Sequence, residues 1–123
     1  MSEQEKVNGT GLARIVRAMR CTGVGLAAAY RNEEAFRQEV LACLALLPVA
    51  CWLGHSSVER ALLVGSLILL LIVELLNTAV EVVVNRIGPE RHELSGLAKD
   101  LGSAAVFMAI VHVVVVWSLV LFF

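Results

Sequence analysis

An all-α integral membrane fold is what this sequence predicts, with an N-terminal amphipathic surface helix followed by three transmembrane helices. Three observations carry that expectation. Ala, Val, Ile, Leu, Met, Phe, Trp, Tyr and Cys make up 59% of the 123 residues, and charged residues only 17%. Soluble proteins run at roughly 45–50% even with Gly counted, and about 25% charged. A soluble domain this small has too much surface for its volume to bury that much apolar area. The second observation is a set of charge-poor windows long enough to span a bilayer, and the third is a helix-length segment with arginines on one side.

The same arithmetic excludes other classes. Intrinsic disorder does not fit so apolar a chain. Ten Lys and Arg against eleven Asp and Glu leave no basic excess for nucleic acid. Cys21, Cys43 and Cys51 are an odd set without CxxC spacing, so neither a disulfide framework nor a zinc site is expected. Cys43 and Cys51 sit in an apolar run, where a free thiol behaves as a small hydrophobe. No cleavable signal peptide is expected, because the opening MSEQEKVNGT is polar and no apolar stretch follows it directly.

Taken in order, residues 1–10 read as a polar tail and 11–123 as a single membrane domain. Residues 11–38 read as an interfacial helix. Arg14, Arg17, Arg20 and Arg31 fall within about a third of its circumference, opposite Leu12, Ile15, Val16, Met19, Leu26 and Tyr30. A cationic face opposite an apolar one suits a headgroup layer. Gly23 and Gly25 mark a place where this helix is open to a break. The first span is read over 40–58, centred on VLACLALLPVACWL, with Pro48 a kink that bilayer helices tolerate. The second runs over 61–85 and the third over 101–123, the latter free of acids and bases except His112. His112 reads as a group hydrogen-bonded between helices rather than a ligand. Lys and Arg concentrate before the first span and in the 86–100 loop, with only Arg60 in the short loop. The positive-inside rule then puts the N-terminus and the 86–100 loop in the cytoplasm and Phe123 outside.

The second span carries a polar stripe. With Glu74 at the origin of a helical wheel, Asn77 falls near −60°, Thr78 near +40°, Glu81 near −20° and Asn85 near +20°. Acidic groups within a bilayer are costly and usually face a bundle interior or carry function. Glu81 is expected at the cytoplasmic interface, with Glu74 about 10 Å deeper, where it suits proton exchange. Glu81 suits a divalent cation if a second carboxylate arrives, and Glu33, Glu34 and Glu39 are expected on the same membrane side. The competing reading is helix–helix glue through carboxyls and amides. One chain of three spans offers little interior for five polar groups, so self-association is expected.

The loop RIGPERHELSGLAKD breaks the helix at Gly88-Pro89 and gathers Glu90, Arg91, His92 and Glu93. Ser95 is the expected cap of the last helix, with Lys99 and Asp100 on its first turns. Loop charges of this kind are ordinarily just solvated. No phosphate-loop signature occurs, and Gly23-Val24-Gly25 lacks a third Gly at dinucleotide-binding spacing.

Three stretches together resemble the prokaryotic diacylglycerol kinase family of small integral membrane lipid kinases. They are EAFRQE at Glu34–Glu39, ELLNTAVE at Glu74–Glu81 and HELSGLAKDLGSAAV at His92–Val106. The resemblance covers nearly all of Gly11–Phe123. It implies ATP-dependent phosphorylation of diacylglycerol to phosphatidate, with Mg²⁺, in the bacterial inner membrane, by a homotrimer whose sites lie between subunits. By motif match it implies Glu74 as catalytic base, and Glu33 and Glu81 as metal carboxylates. Nucleotide contacts fall on Arg14, Glu90, His92, Lys99 and Asp100, and Glu39, Asn77 and Ser103 line the lipid site. Arg14 and Glu74 also count among the substrate contacts. The sequence departs from the family's common pattern at Cys21, Gly23 and Val24, where an aromatic, a Trp and a Lys are frequent, so no role is carried there. Undecaprenol kinases share Glu74, Asn77, Glu81, Lys99 and Asp100, whereas Gly96 and Gly102-Ser103 look like the diacylglycerol branch. A small proton-coupled transporter using Glu74 as a relay is the alternative of a different class.

Overall fold

A computed structural model describes residues 10–123, so most of the polar tail read over 1–10 lies outside the described residues. The chain divides into two compact units, Met1–Glu34 and Ala35–Phe123.

In the first unit, α1 spans Leu12–Asn32 and runs unbroken through Gly23 and Gly25. Its N-cap is Gly11, whose φ of 60° suits a residue without a Cβ. The helix stops earlier than the expected 38. Glu33 is extended, and its N–H closes the last turn onto Ala29 O at 2.9 Å. The acidic pair Glu33-Glu34 suits the start of a new helix better than the end of an old one, because helix N-termini favour carboxylates.

Helix α2 spans Glu34–Leu53 and contains Pro48, which leaves one carbonyl of the preceding turn without its usual donor. It ends ahead of the predicted 58 because the turn closes there. Gly54 N–H donates to Ala50 O at 3.0 Å, and Arg60 Nε donates to Cys51 O at 3.0 Å. Helix α3 spans Ser57–Ile87 and starts four residues before the expected 61. Ser56 caps it, accepting from Glu59 N–H at 3.1 Å, while Glu59 Oε2 accepts from His55 N–H at 2.6 Å. The S-x-x-E pattern caps the helix from Ser56, while the Glu59 carboxylate reaches one residue past the cap to His55 and not to Ser56 N–H. Pro89 ends α3 by holding Gly88 extended.

Helix α4 spans Glu93–Phe122, so with the end of α3 two thirds of the segment read as loop over 86–100 is helical. Its cap is His92, whose Nδ1 accepts from Leu94 N–H at 3.1 Å, and not Ser95. An imidazole nitrogen takes the place of the hydroxyl that sequence rules favour at that position.

Helices α2, α3 and α4 are each long and apolar enough to cross a membrane. The α3–α4 pairing is the most extensive between any two helices. Leu63, Ser66, Leu67 and Leu70 of α3 and Ala109 of α4 are buried, with Cys43 and Ala50 of α2. Cys43 Sγ lies 3.9 Å from Leu67 O, the one cysteine that behaves as a core residue; Cys21 and Cys51 are exposed, and all three are free. Outward faces carry Ile68, Ile72 and Leu76 on α3 and Phe107, Met108, Val114 and Leu119 on α4. Such surfaces are stable against lipid or another helix, not water. His112 is exposed on α4 and joins no other helix by a hydrogen bond among the described residues, contrary to the sequence expectation.

Candidate active site

The polar stripe of α3 lies where α3 meets its neighbours in the second unit. Glu74 is only 4% exposed, one of two buried polar residues in the described chain. The carboxyl of Glu39, from α2, lies within hydrogen-bonding reach of it. Glu39 sits one turn and more into α2, and the packing of that helix along α3, seen also at Cys43 Sγ and Leu67 O, brings it level with Glu74. Glu39 Oε2 is buried without a partner. In an apolar span a carboxyl oxygen left without a donor costs free energy. Two carboxyls placed side by side there do not look like simple packing.

One turn along α3, Asn77 Nδ2 donates to Glu81 Oε1 at 3.5 Å, at the long limit of a hydrogen bond. Asn77 Oδ1 and Thr78 Oγ1 are buried without partners. Glu81 is half-buried. The stripe therefore holds open acceptors and a carboxylate near one end of the helix pair.

At that end, Lys99 Nζ from α4 donates to Asn85 Oδ1 of α3 at 3.0 Å. The two residues share an open cleft of about 520 Å³, lined also by Glu90, Arg91, His92, Ser95 and Gly96. The cleft exists because Gly88-Pro89 turns the chain and His92 restarts the helix, so α4 carries Lys99 back toward the end of α3. A cleft with Lys, Arg and His donors is suited to an anionic ligand such as a polyphosphate. Asp100 is exposed and does not line this cleft, and Ser103 is exposed on α4. Arg14 and Glu33 belong to the first unit, Arg14 exposed and Glu33 half-buried.

The structure thus brings together Glu39 with Glu74, Asn77 with Glu81, and Glu90, His92 and Lys99 around one cleft. Asn85 was legible as part of the stripe, but its pairing with Lys99 was not, because it depends on how the turn returns.

Against known sequences, the model of the prokaryotic diacylglycerol kinase family matches residues 20–121. The chain belongs to the prokaryotic diacylglycerol kinase family. It is 52% identical over 114 residues to diacylglycerol kinase of Escherichia coli strain K12, covering 93% of each chain. It is 50% identical to that of Pseudomonas aeruginosa over 91% of each, and 47% identical to that of Haemophilus influenzae over 93% of this chain and 97% of the relative. As a diacylglycerol kinase family member it is a phosphotransferase with an alcohol acceptor. Membership agrees with the resemblance drawn from the three motif stretches. The missing phosphate loop fits too, since the described residues form α-helices and no strand–loop–helix unit.

The donor set of this kinase suits a hard divalent cation. Glu81 and the unpartnered Asn77 Oδ1 are oxygen donors one turn apart. Among the described residues no group of three or more His, Cys, Asp or Glu forms a closed metal cage. One or two carboxylates plus waters and phosphate oxygens is the ordinary coordination of Mg²⁺ beside a nucleotide.

Proposed function

We propose that this chain transfers the γ-phosphoryl group of ATP to the free hydroxyl of diacylglycerol, giving phosphatidate and ADP at the cytoplasmic face of the bacterial inner membrane. The observation that carries this reading is Glu74, a buried carboxyl beside Glu39, on the same helix as Glu81 and Asn85. Its place among apolar residues suits a base that meets an acceptor held by the bilayer.

In this reading Glu74 takes the proton of the acylglycerol hydroxyl as that oxygen attacks the γ-phosphorus, and the bond to the β-phosphate oxygen breaks. Glu39, Asn77 and Ser103 line the acceptor site. Glu81, with Glu33 by motif match, holds Mg²⁺. When bound, that cation neutralises charge on the phosphate oxygens. Lys99 offsets the phosphate charge in the cleft, held by its bond to Asn85, while His92, Glu90, Asp100 and Arg14 contact the nucleotide. Positioning and electrostatics are most of what phosphoryl transfer needs from a protein.

Helix α1 lies on the membrane surface in this proposal, its arginines toward headgroups. Three copies form a homotrimer, which gives the outward polar positions of α3 and α4 a neighbour within the bilayer. A detergent-corrected mass equal to one chain would contradict the trimer.

The test is transfer of radiolabel from the γ-phosphate of ATP in mixed micelles, with diacylglycerol and undecaprenol offered side by side. Label in diacylglycerol, dependent on Mg²⁺, is the expected result. Label in undecaprenol alone would reassign the acceptor, and label in neither would end the kinase reading.

A further inference from the structure

Gly102 faces Asn77 across the α3–α4 contact, and it differs from the other helical glycines. A Cβ built on Gly23, Gly25, Gly65 or Gly96 would meet nothing within 4 Å. A Cβ on Gly102 would overlap Asn77 Oδ1, and would lie 3.2 Å from Asn77 Cγ and 3.9 Å from Asn77 Cα. The overlap is with the tip of a side chain and not with backbone. An alanine at 102 would therefore leave the two helices at their present separation and push the amide aside.

That amide has little else to hold it. Its Oδ1 is buried without a hydrogen-bond partner, and its Nδ2 reaches Glu81 Oε1 only at the 3.5 Å limit. The missing side chain at 102 is what gives the Asn77 carboxamide its seat. A displaced amide loses the Glu81 contact first, because that contact has no length to spare. Glu81 is half-buried, so the loss frees a carboxylate in a poorly solvated place.

We propose that Gly102 is a positioning residue for the kinase site: its lack of a Cβ seats the Asn77 amide and, through it, orients the Glu81 carboxylate. Gly102 itself touches no reacting atom. The consequence for Mg²⁺ rests on the proposed metal role of Glu81, whereas the seating of Asn77 does not.

The experiment compares Gly102→Ala with Gly65→Ala in the full-length protein in detergent micelles. Three quantities are read: the NMR resonance of the Asn77 side-chain amide, kcat with the Mg²⁺ concentration for half-maximal rate, and the thermal midpoint. Gly102→Ala is expected to move the Asn77 amide resonance, lower kcat at least tenfold and raise the Mg²⁺ requirement severalfold. Gly65→Ala is expected to change none of these. Should Gly102→Ala unfold the protein, adding Asn77→Ala removes the overlapping amide and restores the midpoint. An unmoved amide resonance with full kcat would overturn the proposal, as would an equal loss of midpoint with and without the Asn77 amide, the mark of plain helix packing. A moved resonance and lowered kcat at an unchanged Mg²⁺ requirement would uphold the seating of Asn77 and count against Glu81 as the metal ligand.

Discussion

Helix α3 carries two polar clusters about 17 Å apart along its axis, one completed by α4 and the other by α2, and the two are finished differently. At one, Trp117 Nε1 donates to Ser66 Oγ at 3.1 Å, and Ser66 Oγ donates to Leu63 O at 2.7 Å. Ser66 is 1% exposed, and its hydroxyl both gives and accepts. At the other, Asn77 Oδ1, Thr78 Oγ1 and Glu39 Oε2 are buried with no partner. The bilayer core supplies no water to make up the difference. A saturated cluster locks two helices together. An unsaturated cluster between α3 and α2 leaves polar atoms open at the expense of stability, and the proposed function assigns them to the substrates. In the proposed reading, the contrast separates groups that hold the fold from groups that do chemistry.

The contrast can be broken by substitution, and the largest effect belongs to Glu74. Glu74→Gln keeps shape and hydrogen bonding but removes the proton acceptor, so kcat should fall about 10²–10⁴-fold with little change in KM for ATP. A steady-state assay over ATP concentration checks it, and a normal kcat would turn Glu74 into helix glue like Ser66. Lys99→Ala should come next, raising KM for ATP roughly 10- to 100-fold, the size of about 1.5–3 kcal/mol for a hydrogen bond to a charged group. Asn85→Ala, which removes only the partner that steadies Lys99, should raise KM less. An Asn85 variant as damaged as the lysine variant would mean the amide meets the nucleotide directly.

Glu81→Gln should raise the Mg²⁺ needed for half-maximal rate, with part of the rate returning at excess Mg²⁺, as titration of the cation would reveal. The smallest effects belong to the saturated cluster. Ser66→Ala should lower stability by about 0.5–1.5 kcal/mol, read by denaturation in mixed micelles, with kcat unchanged. Trp117→Phe should cost less still, because the Ser66 hydroxyl keeps its bond to Leu63 O. Loss of kcat in either variant would join the two clusters functionally and spoil the distinction.

Much of this was written in the chain itself. Composition and window length are local properties, and they alone select lipid as the solvent and α-helices as the spans. The period of 3.6 places Glu74, Asn77, Thr78, Glu81 and Asn85 on one arc of α3, and the motif stretches point to the kinase family. Helix ends were less legible. Ser56 and Glu59 form a pattern visible in sequence, yet α3 was expected only from 61; the cap at His92 uses a nitrogen that capping rules rank low. Tertiary structure alone decided which members of the stripe meet partners and which stay open. Glu39 reaches Glu74 only because α2 lies along α3, Lys99 reaches Asn85 only because α4 restarts at Glu93, and Gly102 matters only because α4 brings it against Asn77. The physical reason is that burial and periodicity are summed along one helix, whereas a hydrogen bond within 3.5 Å depends on the relative placement of two.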